Sequence, residues 1–106
     1  MTQLNLTTGN NLSDNGTVGT NTAGFGLTIK EGSNAKSGTA VLAAGTVVVA
    51  NTSVTTSSRI HLTSNVPGGT PGFLRVSART AGTSFTITSS SGTDTSTVAY
   101  LIVEPS

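Results

Sequence analysis

Short runs of alternating polar and apolar residues, separated by Gly- and Pro-containing turns, constrain this chain most strongly. In one run, Ile60 and Leu62 alternate with Arg59, His61 and Thr63. A period of two places alternate side chains on opposite faces of a β-strand, and no segment has the 3.6-residue period of a helix. About six such runs recur at intervals of roughly 8–12 residues, the spacing of small all-β folds. We therefore expect an all-β fold, either a small antiparallel β-sandwich or a jelly-roll-like barrel.

The composition agrees with this fold class and excludes several functions. Thr, Ser, Gly and Asn together fill 56 of the 106 positions, and charged residues make up only 8%. Five Lys and Arg residues against four Asp and Glu residues do not form the basic patch of a nucleic-acid-binding protein. Without cysteine, neither a disulfide scaffold nor a Cys-ligated zinc site is possible.

The apolar residues are distributed unevenly, which predicts two regions. Residues 1–36 contain few of them, and these alternate with polar neighbours at Leu4 and Leu6 and again at Phe25, Leu27 and Ile29. So polar a stretch cannot bury enough apolar surface to offset about 1–2 kcal/mol per residue of ordering. We expect residues 1–36 to form an extended N-terminal arm that binds a partner through these five residues, and residues 37–106 to form the β-sandwich domain. Two or three loosely packed strands of the same domain are the alternative for the arm.

Targeting signals are not evident in the sequence. The first residues lack the basic and continuous apolar regions of a secretory signal peptide. The longest apolar run, residues 98–103, is far shorter than the roughly 20 residues of a membrane-spanning helix. We expect a whole gene product that is made in a host cytoplasm and has no membrane partner.

The last predicted strand is apolar at both parities. It is either central in a sandwich or covered on one face by another subunit. A module of about 70 residues without a disulfide or a metal has a thin core, and such modules commonly gain stability by association. We therefore expect a homo-oligomer, a trimer rather than a dimer, with Tyr100 and Ile102 at the subunit interface.

Candidate catalytic groups are few. His61 is the single histidine, and its place on the polar side of a strand is typical of a surface residue; a ring of His61 side chains around an oligomer axis is the one metal site we consider. Asp94 and Glu104 are candidates for glycoside hydrolysis by elimination alone, and a turn former and a rim charge are the ordinary interpretations. There is no Gly-x-Ser-x-Gly motif, and the Gly-rich segments lack the features of a phosphate-binding loop. We predict no enzyme activity, no cofactor and no metal site.

A second set of candidate contacts lies in the predicted strand at residues 72–79. Phe73, Arg75 and Arg79 share a parity, which indicates one common face. An arginine beside an aromatic residue on an exposed strand is typical of protein contact sites. The alternative is a solvated surface whose charges prevent edge-to-edge pairing.

The order of these segments resembles a β-module of tailed-bacteriophage virion proteins. The likeness covers about residues 37–106, and its segments are residues 38–40, 44–49, 52–55, 58–63, 68–72, 84–89 and 94–104. Modules of this kind occur at the C-termini of phage fibre and spike polypeptides and in short proteins that decorate heads.

The resemblance implies a virion structural protein. A short polar arm before the module favours a capsid decoration (cement) protein on the head surface, with the major capsid protein as partner and capsid stabilisation as function. The alternative is a fibre or spike tip, or a head-fibre module, that attaches to the host surface.

Overall fold

The computed structural model describes residues 19–106, and these contain six β-strands and no helix. No membrane-spanning helix is therefore present in this part of the chain. Leu4 and Leu6 lie outside the described residues. The strands are β1 (Ser37–Val41), β2 (Thr46–Ala50), β3 (Arg59–Val66), β4 (Leu74–Thr80), β5 (Ser84–Ser89) and β6 (Thr97–Val103).

The strands form two three-stranded sheets. Sheet A has the order β1-β6-β3 and sheet B the order β2-β5-β4, and every pairing within them is antiparallel. Each sheet turns one face inward, as the alternation of polar and apolar residues predicts. The prediction of an all-β fold with a small antiparallel sandwich is confirmed.

The core lies between the two central strands, β5 and β6. Phe85 and Tyr100 pack edge to face, with ring centroids 5.1 Å apart and planes inclined at 75°. Such aromatic pairs add to the stabilisation from burial alone. The buried apolar residues are Leu42, Val54, Phe85, Ile87, Val98, Tyr100 and Ile102.

The position of β6 explains its apolar residues at both parities. It is the middle strand of sheet A, so Val98, Tyr100 and Ile102 point into the core while Leu101 lies half-buried on the outer face. From the sequence we expected Tyr100 and Ile102 to lie at a subunit interface. Both side chains are instead buried within the single chain, 6% and 4% exposed respectively. A subunit contact through β6 would have to use the outer face.

A β-bulge in β4 corrects another prediction. The pairing of β4 with β5 shifts between Val76 and Ala78, so that Arg79 lies opposite Phe85. Cross-strand partners point to the same face, and Phe85 points into the sandwich. Arg79 therefore lies on the inner side of sheet B, where its Nε donates a hydrogen bond to the Ser58 carbonyl at 2.8 Å. It does not share a face with Arg75, because the extra residue reverses the parity.

The core assignment predicts the effect of truncating Ile87. Ile87 is completely buried on β5, so Ile87→Ala should lower the free energy of unfolding by about 2–5 kcal/mol through lost burial and a cavity. Val48→Ala on β2, where the side chain is 65% exposed, is the control and should change it by less than about 0.5 kcal/mol. Urea unfolding measures both, and equal effects would contradict this core.

Candidate functional site

The sandwich has two ends that differ in their connection to the rest of the chain. Ser37 pairs with Leu101, and the Ile102 amide donates to the Lys36 carbonyl at 2.7 Å, so the first strand begins where the last one finishes. We call this the proximal end. The opposite, distal end consists of three connecting segments, residues 42–46, 67–73 and 89–96.

Asp94 organises the distal end. Its carboxylate is 1% exposed and accepts hydrogen bonds from the Ser96 amide at 2.9 Å, the Ser89 hydroxyl at 2.7 Å and the Gly72 amide at 3.0 Å. The hydrogen bonds from Ser96 have the largest effect on the pKa of Asp94, followed by that from Ser89, and they hold it well below its usual range. Burial acts in the opposite direction and raises the pKa. The carboxylate is thus a charged acceptor that joins two loops.

Two glycines allow the loops to approach Asp94 closely. Gly45 and Gly69 have φ values of +80° and +58°, a region that side chains disfavour. The Gly45 amide donates to the Asp94 carbonyl at 3.0 Å, and Gly69 forms a β-bridge with Asp94. A Cβ at either position would overlap a backbone carbonyl oxygen of the 89–96 segment. The distal loops are therefore packed backbone against backbone.

This packing fixes the backbone of an exposed aromatic residue. The Phe73 amide donates to the Ser90 hydroxyl at 2.8 Å, and the Phe73 carbonyl accepts from the Ser90 amide at 2.8 Å. The Phe73 side chain is nevertheless 86% exposed, more than any other large apolar side chain of the described residues. It lies at the distal edge of sheet B, and residues 19–106 leave it uncovered.

Arg75 lies on the outer face of sheet B, two residues from Phe73. It pairs with Thr88 of β5, and Thr88 pairs in turn with Thr46 of β2. The Ser77 and Thr88 hydroxyls are 2.7 Å apart. Of the three predicted contact residues on this strand, the structure brings Phe73 and Arg75 together and separates Arg79 from them.

At the proximal end, Glu104 is the corresponding carboxylate. It accepts hydrogen bonds from Lys36 Nζ at 2.9 Å, Thr55 Oγ1 at 2.7 Å and Ser58 Oγ at 2.5 Å. Lys36 Nζ also donates to the Ser53 carbonyl. The contact with Lys36, followed by those with Ser58 and Thr55, lowers the pKa of Glu104 to about 2. Glu104 thus fastens the beginning of β1 and the 53–58 loop to the C-terminal end of β6.

The distance between Asp94 and Glu104 can be compared with that between the two carboxyl groups of a glycoside hydrolase. Asp94 and Glu104 lie beyond opposite ends of β6, whose seven residues span roughly 20 Å. The carboxyl pair of a glycoside hydrolase is at most about 10 Å apart. Within residues 19–106, no three His, Cys, Asp or Glu residues are grouped as metal ligands. Each carboxylate serves as a structural acceptor, in agreement with the turn and rim interpretations.

The predicted arm contacts Phe25, Leu27 and Ile29 are described by the structure and precede β1. Phe25 is 74% exposed and Leu27 80%, whereas Ile29 is 40% exposed. Leu27 and Ile29 border an open groove of about 410 Å³ against His61 and Leu101 on the outer face of sheet A. That the arm binds a partner stays a prediction, as does the domain boundary after residue 36.

The sequence indicated a turn former at Asp94 and a rim charge at Glu104 but did not identify their hydrogen-bond partners. An aspartate two residues before a serine, in a Gly- and Ser-rich turn, is a sequence signal for side-chain-to-backbone bonding of the kind seen here. No comparable local signal exists for Glu104, because its partners lie 46 to 68 residues earlier in the chain.

A family model described as K1 capsule-specific polysaccharide lyase, C-terminal domain, matches residues 34–103. The matched segment contains all six strands of the sandwich. Among curated proteins and among solved structures, nothing matches the chain significantly.

The hydrogen bonds of Glu104 predict acid-sensitive stability. Because folding lowers the pKa from 4.5 to about 2, the stabilisation is complete above pH 4.5 and is lost as the pH falls towards 2. Glu104→Gln should lower the urea midpoint at pH 7, and the gap to the wild type should narrow between pH 4.5 and 2. Glu31→Gln, at an exposed position before β1, is the control. A constant gap over this range would contradict the assignment.

Proposed function

We propose that this chain is a spike- or fibre-associated module that attaches to the host surface. The proposal starts from its family: the chain belongs to the K1 capsule-specific polysaccharide lyase C-terminal domains. The family assignment agrees with the resemblance to modules at the C-termini of phage fibre and spike polypeptides. The chain is thus a phage-type β-module, and it is virion-associated. Attachment to the host is the step that we add.

The extent of the family match carries this proposal. Residues 34–103 begin just before β1 and end with β6, so the match covers the sandwich from its first strand to its last. The likeness is therefore to one complete folded unit, and that unit is the C-terminal domain of a lyase. A function in binding is supported by the separation of Asp94 from Glu104 and by the saturation of both carboxylates with hydrogen-bond donors.

The placement of the two ends supports attachment through the distal end. Residues 34–36 and Glu104 meet at the proximal end, so the chain enters the sandwich on that side. The distal loops point away from this junction and hold Phe73 rigidly in solvent. Rigid loops that display exposed residues are typical of binding surfaces. The family description supplies the ligand class for the proposal, a capsular polysaccharide.

Capsid decoration is the second candidate. The exposed Phe25 and Leu27 favour it, since large apolar side chains along an extended segment are expected where an arm binds a shell of major capsid protein. Association as a trimer would strengthen such binding by multivalency. Both candidates place the protein in the virion, and they differ in its location.

Labelling of virions distinguishes the two candidates. With gold-conjugated antibody against this chain, we expect label at tail spikes or fibres. We also expect the purified protein to bind capsulated host cells and not cells stripped of capsule. Label spread over the heads would contradict the attachment function and support decoration, and virions without label would contradict both.

A further inference from the structure

We infer that the distal part of the outer face of sheet B, centred on Phe73 and Arg75, is a binding site for an acidic capsular polysaccharide. This inference rests on the proposed attachment function and assigns it a site and a ligand charge. We call the surface the Phe73–Arg75 face; it comprises Thr46, Val48, Phe73, Arg75, Ser77, Thr86 and Thr88.

Phe73 provides an apolar platform. Its ring is 86% exposed although the backbone on both sides is fixed, by Ser90 at Phe73 itself and by Asp94 at Gly72. An aromatic ring presents a flat, electron-rich face, and the C–H-bearing side of a sugar ring is the complementary surface. A rigid backbone limits the entropy that this residue loses on binding. The backbone of Phe73 is thus already held in place in the free protein.

Arg75 determines the charge of the ligand. The strands of sheet B contain no acidic residue, and Arg79, the second arginine of β4, bonds to Ser58 on the inner side. Arg75 is exposed and pairs with the uncharged Thr88. Its guanidinium therefore has its donors available to a carboxylate of a sugar acid, which it can bind through two parallel hydrogen bonds.

The rest of the face suits a polysaccharide chain. Thr46, Thr88 and Arg75 form one row across the three strands, and Val48 and Thr86 lie in the next row. The hydroxyls in these rows can donate to and accept from sugar hydroxyls. With no acidic residue on these strands, the face does not repel an anionic polymer. The combination of one cation, one aromatic ring and several hydroxyls fits an acidic glycan better than an apolar protein surface.

The other exposed apolar surface of the described residues fits this ligand less well. Half of the residues that line the groove beside Leu27 and Ile29 are aliphatic, and the polar ones include His61 and Thr63. No arginine lines it, and Tyr100, the one aromatic residue among its lining residues, is 6% exposed and packs its ring in the core. We therefore place the glycan on sheet B, and Arg59 and Phe25, which lie outside this face, serve as control positions.

Direct binding measurements test the site. The full chain is titrated against biosensors coated with purified K1 capsular polysaccharide and with a panel of acidic and neutral bacterial capsular polysaccharides. We expect the wild type to bind at least one acidic member and no neutral one, and more weakly as ionic strength rises. Phe73→Ala and Arg75→Gln should each weaken binding roughly tenfold, and Arg75→Gln should reduce the salt dependence.

Matched variants exclude a general effect of charge or apolar surface. Phe25→Ala removes a ring that is 74% exposed, and Arg59→Gln removes a cation from the outer face of sheet A. Both should retain wild-type affinity, and thermal unfolding should be unchanged in all four variants because the side chains are exposed. If Phe73→Ala and Arg75→Gln bind like the wild type, the site is wrong and the attachment function stands. If the wild type binds no polysaccharide, attachment to capsule is wrong as well.

Discussion

The buried carboxylate of Asp94 is the interaction on which the distal half of this sandwich depends. A charged group is costly to bury unless donors surround it, and here two backbone amides and one hydroxyl do so. Gly72 lies in the loop before β4, and Ser89 and Ser96 lie at the two ends of the segment between β5 and β6, so one side chain joins two loops. Because the hydrophobic core is small, polar contacts of this kind contribute much of the stabilisation of the loops. At the proximal end, Glu104 joins segments of the chain in the same way, by accepting hydrogen bonds from a lysine and two hydroxyls.

Much of the fold could be predicted because it depends on local alternation. Ile60 and Leu62 point inward and His61 outward, as a period of two requires. The errors arose where a tertiary feature overrides that period. The bulge near Ser77 reverses the face of Arg79, and the central position of β6 places Tyr100 in the core. The partners of Asp94 and Glu104 could not be predicted for another reason: most of the donors are distant in sequence or are backbone amides, which the pattern of residue types does not reveal.

The proposed function depends on the family of this chain and on the difference between the two ends of the sandwich. The family describes a lyase C-terminal domain, and the match covers the sandwich completely. The chain enters the sandwich at the proximal end, beside the end of β6, and we propose that the distal loops and the adjoining edge of sheet B contact the ligand. Each carboxylate accepts three hydrogen bonds, and these connect the segments that form its end of the sandwich. At the distal end, hydrogen bonds hold the backbone at Gly72 and Phe73, while the Phe73 side chain is 86% exposed.

The exchange of two backbone amides tests this account most directly. The amides of Gly72 and Ser96 donate to Asp94, so NMR-detected hydrogen exchange at these positions reports on the carboxylate itself. In Asp94→Asn one acceptor oxygen becomes an NH2 donor that faces existing donors. The account predicts that both amides then exchange faster relative to the Ile87 amide in the core strand β5, with a lowered unfolding midpoint. Unchanged exchange at Gly72 and Ser96 would contradict the claim that Asp94 holds the distal end together.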